Sequence, residues 1–232
     1  MILRVLILAA IIPAVWLMKK VYDADRLEKE PMGYLYSLVF FGALSTLAAM
    51  VTEQLGMLAL EELFPWGGFL CDVILYYIVV GLSEEGFKYL VLKWKTWRSP
   101  NFNCQFDGVV YAVFISLGFA LWENIGYVLN FGFGVAVVRA MTAVPGHACF
   151  GVFMGFWYGI AKRFALIGDR GASKTARSLA VAVPVLLHGT YDFIASTTQT
   201  IFSLIFGAFV GLMFWVATKT VKKASENDVY LS

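Results

Sequence analysis

The chain has 232 residues, of which 60% are hydrophobic and only 15% are charged, and its formal net charge is +2 at pH 7. Soluble globular domains usually carry about 25% charged residues, and a chain of this length has too little interior to hide such an apolar excess from water. The composition therefore excludes an ordinary soluble domain and a disordered chain, and the small net charge excludes nucleic acid as a partner. The expected surrounding is a lipid bilayer.

Seven stretches are apolar enough to cross a bilayer core, which takes about 20 residues of helix. In chain order they cover approximately residues 2–18, 33–52, 69–92, 107–130, 137–161, 178–198 and 199–219. The last two are nearly continuous, and we predict a turn between them over Ser196-Thr197-Thr198-Gln199. We predict an all-α fold, in which residues 1–232 form one polytopic membrane bundle and a single domain.

Basic residues indicate the orientation, because Lys and Arg collect in cytoplasmic loops. Fifteen of the 18 basic residues follow the first, third, fifth and seventh spans, whereas the connection 53–68 holds Glu53, Glu61 and Glu62 and no basic residue. This alternation predicts an N-terminus outside the cell, a cytoplasmic C-terminus and a multi-pass protein of the plasma membrane. The first span has no clear small-x-small cleavage site, so we interpret it as a retained anchor rather than a signal peptide.

Four of the predicted spans carry ionisable side chains inside the apolar stretch, where a charge costs at least about 2.5–3.5 kcal/mol and is expected to be functional. At a rise of about 1.5 Å per residue these groups lie within roughly 6–8 Å of the midplane, which predicts one shared site. Spacing of i, i+4 places Lys88 beside Glu84, with Glu85 pointing elsewhere unless the two glutamates exchange roles. The candidates are Glu84, Glu85 and Lys88 in the third span, Glu123 and Asn124 in the fourth, His147 in the fifth, and His188 and Asp192 in the sixth.

Three explanations suit such a cluster. In hydrolysis, a glutamate deprotonates water while His or a metal ion stabilises the oxyanion. In proton- or ion-coupled transport, the carboxylates and imidazoles form a relay, although the sequence shows no inverted repeat of the kind that many transporters have. In a structural role, Glu123 pairs with Arg139 or Lys88 and the remaining groups tie helices together.

Motifs that include these residues run in order through nearly the whole chain, and together they resemble the PrsW family of intramembrane proteases. This family is in turn similar to the CAAX-prenyl endopeptidases. The motifs are Asp23…Glu30-Pro31, Glu84-Glu85-x-x-Lys88, Asp107-Gly108-x-x-Tyr111, Gly118-Phe119-Ala120-x-x-Glu123-Asn124, Arg139-Ala140…His147-Ala148…Met154-Gly155-Phe156 and His188-Gly189-x-x-Asp192-Phe193.

The resemblance implies an endopeptidase that makes a first, external-side cut in a single-pass membrane protein such as an anti-sigma factor. It implies that Glu84 or Glu85 activates the water, with Lys88 and Asn124 in support. The residues implied to hold the water or the scissile carbonyl are His147, His188, Asp192 and Glu123. At Glu123 the chain departs from the CAAX pattern, which has His at that position.

The same four side chains, His147, His188, Asp192 and Glu123, are candidate ligands of a zinc ion. Two imidazoles and a carboxylate leave a fourth position open for water, as in several zinc hydrolases. The chain has no His-Glu-x-x-His motif. A zinc site and a metal-free, glutamate-activated water therefore both remain open from the sequence.

Overall fold

A computed structural model describes residues 2–197 and 199–231, and every named element in these ranges is helical. In chain order the elements are α1 (Ile2–Ala24), α2 (Met32–Leu63), α3 (Phe69–Val73), a π-helical segment (Ile74–Leu82), α4 (Ser83–Thr96), α5 (Asp107–Phe131), α6 (Phe133–Met141), α7 (Ala143–Leu166), α8 (Arg170–Ala195) and α9 (Thr200–Glu226). The prediction of an all-α fold is confirmed.

Five stretches of the described chain are helices long and apolar enough to cross a membrane, as expected for a multi-pass membrane protein. They are α2, α5, the run of α6 and α7 over Phe133–Leu166, α8 and α9. The first predicted span corresponds to α1, and the third to the continuous run of α3, the π-helical segment and α4. The count of seven crossings and the orientation of the termini stay predictions.

Helix α2 continues beyond the predicted span 33–52 to Leu63, so most of the connection 53–68 is helical. Residues 53–63 are mostly Glu, Gln, Leu, Met and Ala, which favour helix, and the helix ends only before Phe64 and Pro65, where proline disfavours helical backbone in the residue that precedes it. Glu53 therefore lies on a helix and not in a loop.

The predicted fifth span is interrupted, since α6 ends at Met141 and α7 begins at Ala143. Pro145 has no backbone N–H to continue a helix from α6, but it is tolerated in the first turn of α7. Between α8 and α9 the helices separate at the predicted turn, of which Thr198 lies outside the described residues.

The α5 helix lies at the centre of the bundle and packs against α1, α2, α4 and α7. Its first half is buried on all sides, which fits a helix with apolar residues around its whole circumference. Small residues let its backbone approach those of its neighbours, as is common between helices in membranes. At Gly155 of α7, an added Cβ would lie 2.5 Å from Val109 Cα, so α5 and α7 touch through their main chains.

Replacing Gly155 with Leu is expected to destabilise the bundle by about 3 kcal/mol, because the side chain must push α5 and α7 apart. For a chain of this size that loss lowers the midpoint of thermal unfolding by roughly 6–12 °C, measured by tryptophan fluorescence in detergent. Gly211→Leu is the matched control, because an added Cβ on Gly211 meets nothing within 4 Å. Equal midpoints for the two variants would contradict main-chain contact at Gly155.

Candidate active site

The ionisable residues of the predicted spans meet in one cluster inside the bundle, where α4, α5, α7 and α8 come together. Each of these side chains has a polar atom within 3.3 Å of another member. The members are Glu84, Glu85 and Lys88 of α4, Glu123 of α5, His147 of α7, and His188 and Asp192 of α8. The groups expected at one depth therefore lie together, while their catalytic roles stay predictions.

Lys88 is the centre of the cluster, and its side chain is fully buried. Its Nζ lies 2.7 Å from Glu85 Oε1, 3.1 Å from Glu84 Oε2 and 3.0 Å from His147 Nδ1. The ammonium also lies over the ring of Phe119, 4.1 Å from its centroid. The expectation that only one glutamate pairs with Lys88 is wrong, because residues three and four positions earlier on a helix both lie one turn away.

The protonation of His147 follows from its two partners. Lys88 Nζ can only donate, so Nδ1 of the imidazole accepts and the ring hydrogen lies on Nε2. Nε2 donates to Glu123 Oε2 at 2.9 Å. The same oxygen lies 2.9 Å from Arg139 Nη2, so a cation balances the Glu123 carboxylate.

His188 lies between two carboxylates. Its Nδ1 is 2.9 Å from Glu85 Oε1, and its Nε2 is 3.3 Å from Asp192 Oδ2. A carboxylate beside each ring nitrogen favours the imidazolium form, in which both nitrogens carry hydrogen. The ring of Phe150 stacks on it with centroids 4.7 Å apart, which shields this face from water.

Asn124 does not line the cavity beside the cluster but supports it from behind. Its Oδ1 accepts a hydrogen bond of 3.0 Å from Arg139 Nε, and its Nδ2 donates to the carbonyl oxygen of Ala10 in α1. Asn124 thereby holds the Arg139 side chain in place.

A cavity of about 420 Å³ opens on one side of the cluster. Glu84 lines this cavity, whereas Glu85 has no exposed surface. An adjoining cavity of about 410 Å³ shares Glu84 and Glu123 and is lined by the lipid-facing Trp122 and Phe131. The polar cluster is therefore reached from the outer surface of the bundle through an apolar cleft between α2 and α5.

Two charged residues of this cavity were not among the predicted site residues. Glu53 lines both cavities from α2; the sequence interpretation placed it in a loop, and the helix-forming residues 53–63 were the signal that could have corrected this. Arg139 also lines the cavity, although from the sequence it was weighed only as a structural partner of Glu123. The basic side chains that line the cavity are Arg139, His147 and His188, and the carboxylates are Glu53, Glu84, Glu123 and Asp192. Lys88 and Glu85 do not line it and pair with each other in the interior.

Close helix packing positions Glu85 and His188 against each other. The π-helical segment ends at Leu82, two residues before Glu84. Its wider turns change the direction in which the following residues point, and such turns are frequent at functional sites. Gly189 packs against this segment so closely that an added Cβ would lie 2.5 Å from Tyr77 Cδ1. This contact seats His188 beside α4.

A membrane-embedded helical bundle with carboxylates and imidazoles around a shielded cavity has the features of an intramembrane hydrolase. The family model described as "PrsW family intramembrane metalloprotease" matches residues 30–220, and the chain belongs to this family. It is therefore an intramembrane protease.

Curated relatives agree in length as well as in sequence. The chain is 33% identical to the protein named Protease PrsW of Oceanobacillus iheyensis, over 95% of this chain and 96% of that protein. It is 32% identical to Protease PrsW of Bacillus subtilis, over 94% and 95%, and 31% identical to Protease PrsW of Clostridioides difficile, over 82% and 78%. No solved structure gives a significant match.

The family description implies a metal ion, whose ligands would be His, Glu and Asp side chains of the cluster. Within the described ranges, Glu84, Glu85 and His147 form a group whose potential ligand atoms all lie within 4.8 Å of one another. Two carboxylates and an imidazole are suitable zinc ligands. However, Lys88 Nζ lies within 3.1 Å of all three side chains and fills the space between them. With Lys88 in this place, the residues do not fit a metal ion there.

The zinc ligands considered from the sequence are arranged differently. His147, His188, Asp192 and Glu123 do not form a ligand-sized group among the residues that the structure describes. Each imidazole instead pairs with a carboxylate, His147 with Glu123 and His188 with Asp192.

Proposed function

We propose that this protease makes a first, external-side cut in a single-pass membrane protein, using a water molecule that Glu84 activates. The observation that carries the proposal is the difference between the two neighbouring glutamates. Glu84 borders the cavity, where water and substrate can reach it, whereas Glu85 is fully buried between Lys88 and His188.

In the proposed reaction, the Glu84 carboxylate takes a proton from water as the water oxygen bonds to the scissile carbonyl carbon. The carbonyl oxygen becomes an oxyanion, which the His188 imidazolium at the cavity wall stabilises, because preorganised positive groups are effective in a water-excluded site. When the C–N bond breaks, the proton passes from Glu84 to the leaving amine, and the carboxylate is regenerated.

The other charged groups keep Glu84 and His188 in position. Lys88 holds Glu84 and Glu85 together, and Glu85 in turn orients His188. Glu123 fixes His147, which receives a hydrogen bond from Lys88, and Arg139 balances the Glu123 charge. In this proposal the ammonium of Lys88 supplies the positive charge among the carboxylates, and no step passes through a metal ion.

The shape and polarity of the entrance to the site suit a substrate with a single membrane helix. The cleft between α2 and α5 is apolar at its lipid-facing side and polar at its inner end, so one substrate helix can enter from the bilayer and unwind at the cluster. The PrsW resemblance supplies an anti-sigma factor as the precedent for such a substrate.

The function is tested by mapping new protein termini in membranes of cells that produce either the wild type or Glu84→Gln. We expect the wild type alone to generate cuts at the external end of the membrane helix in one or a few single-pass proteins. Glu61→Gln, a change at an exposed carboxylate of α2, is the matched control and should cut as the wild type does. Cuts confined to cytoplasmic segments or to soluble proteins would contradict the proposal.

A further inference from the structure

A second group of acidic side chains lies at the opposite end of α5 from the active site. Asp107 is the first residue of this helix, and about 24 Å of helix separate it from Glu123. Asp25 and Glu30 lie in the link between α1 and α2, and Asp228 follows α9. Glu30 and Asp107 belong to sequence motifs that the active site does not use, so they need another explanation.

Hydrogen bonds show that these chain segments meet. Asn103 Nδ2 donates to Glu28 Oε2 of the α1–α2 link at 3.0 Å, and the Phe106 N–H donates to Asp228 Oδ1 at 2.8 Å. Cys104 also forms an isolated β-bridge with Tyr230 of the C-terminal segment. The carboxylates from three separate links therefore lie around one place.

Two of these carboxylates are held by one oxygen only. Asp107 Oδ2 accepts backbone N–H bonds from Asn103 at 3.0 Å and Cys104 at 2.7 Å, and Glu30 Oε1 accepts the hydroxyl of Tyr111 at 2.7 Å. Their other oxygens, Asp107 Oδ1 and Glu30 Oε2, are buried and have no hydrogen-bond partner among the described residues. The anchored oxygen fixes the direction of the unpaired one.

Asp228 also has one anchored and one unpaired oxygen, whereas both carboxylate oxygens of Asp25 are unpaired among the described residues. Asp228 Oδ1 accepts the N–H groups of Phe106 at 2.8 Å and Val229 at 2.9 Å, while its Oδ2 is buried and unpaired within the described chain. Asp25 is only 1% exposed, and neither of its carboxylate oxygens has a partner there. A buried carboxylate without partners is costly unless something neutralises it.

The protein itself supplies little positive charge to this group. Lys29 donates to the carbonyl oxygens of Tyr22 and Asp25 and not to a carboxylate of the cluster. No cation of the described chain therefore forms a hydrogen bond with the unpaired carboxylate oxygens of this group.

We propose that Asp25, Glu30, Asp107 and Asp228 bind a divalent cation of the Mg²⁺ class that keeps part of its water shell, with the buried, unpaired amide oxygen Asn103 Oδ1 as a further donor. All of these donors are carboxylate or amide oxygens, which Mg²⁺ prefers.

The carboxylates form no compact ligand group: in the part of the chain that the structure describes, no three of them have ligand atoms within 4.8 Å of one another. Mg²⁺ commonly keeps several waters, so in this proposal some of the carboxylates contact the ion through water. The half-buried Asp228 provides access from water.

The ion would also join three segments that already contact one another. The C-terminal segment is held to the link before α5 by backbone hydrogen bonds from Gln105 N–H to Val229 O at 3.0 Å and from Leu231 N–H to Asn103 O at 2.6 Å. The α1–α2 link contacts the same region through Glu28, which accepts a hydrogen bond from Asn103 Nδ2 at 3.0 Å. A shared cation would add carboxylate ligands from all three segments.

The test is titration of the purified full-length protein with Mn²⁺, a spectroscopic substitute for Mg²⁺ that prefers the same ligands. Electron paramagnetic resonance should show saturable binding of about one Mn²⁺ per chain that excess Mg²⁺ displaces. Asp25→Asn and Asp228→Asn should each weaken this binding at least about tenfold, because each removes one charged ligand.

Asp23→Asn is the matched control, because this exposed carboxylate has the same charge and lies two residues away. It should bind as the wild type does, and so should Glu84→Gln, which separates this site from the catalytic cluster. Absence of saturable binding in the wild type, or equal affinity of Asp25→Asn and Asp23→Asn, would overturn the proposal. Asp228 is half-buried, so Asp228→Asn keeps the test decisive if Asp25→Asn does not fold.

Discussion

Replacing Glu84 with Gln is expected to slow substrate cleavage by about 10²–10⁴-fold, the range that a positioned general base contributes. Gln has nearly the same shape but takes no proton from water, so the bundle should persist while the water is no longer activated. The measurement is kcat/KM for a single-pass substrate in proteoliposomes, together with the midpoint of thermal unfolding.

Glu85→Gln distinguishes the two neighbouring glutamates. Glu85 Oε1 is shared by Lys88 and His188, so this change should also reduce activity, but with a clear loss of thermal stability because two buried cations lose their common partner. Glu84→Gln should cost less stability than Glu85→Gln, because Lys88 keeps Glu85 and His147 as partners. If Glu84→Gln cleaves within about tenfold of the wild type, Glu84 is not the general base.

Replacing Lys88 with Ala should have the second large effect, on stability and on metal binding. Removing one partner of a buried ion pair costs about 3–5 kcal/mol, because the remaining charges are left uncompensated. It also empties the space between Glu84, Glu85 and His147, whose donor atoms already lie within 4.8 Å of one another. We expect Lys88→Ala to bind about one zinc ion per chain, which restores part of the lost stability.

Metal analysis and thermal unfolding of the purified proteins check this expectation. The wild type should contain far less than one zinc per chain. Lys93→Ala, an exposed lysine of the same helix, should behave as the wild type does. Stoichiometric zinc in the wild type, lost on Glu84→Gln, would show that a metal ion displaces Lys88 and that the metal-free proposal is wrong.

The sequence predicted the helices well because length and hydropathy alone decide which segments can cross a bilayer. Hydropathy does not predict where a helix ends outside the apolar layer. Helix α2 runs eleven residues past the predicted span end at 52, since helix-forming residues continue a helix outside the apolar layer as readily as inside it. The break at Thr142 depends on Pro145, whose effect on a long apolar run is not visible from hydropathy.

For the site, the cost of burying charge identified the members of the cluster but not their partners. Helical spacing gives neighbours on one helix, such as Lys88 and Glu84, but contacts between helices depend on how the helices cross. The contact of Lys88 with His147 and that of Glu85 with His188 are of this second kind. For the same reason the unpaired oxygens of Asp25 could not be found from the sequence.

The main-chain contact between α5 and α7 has a consequence for mechanical precision. Two helices that touch at Gly155 and Val109 cannot slide closer, and no flexible side chain lies between them at that point to absorb a displacement. The spacing of the two backbones that carry Glu123 and His147 is thus fixed at this contact. Movements of the lipid-facing residues should therefore change the distance between α5 and α7 very little, although the surrounding bilayer is fluid.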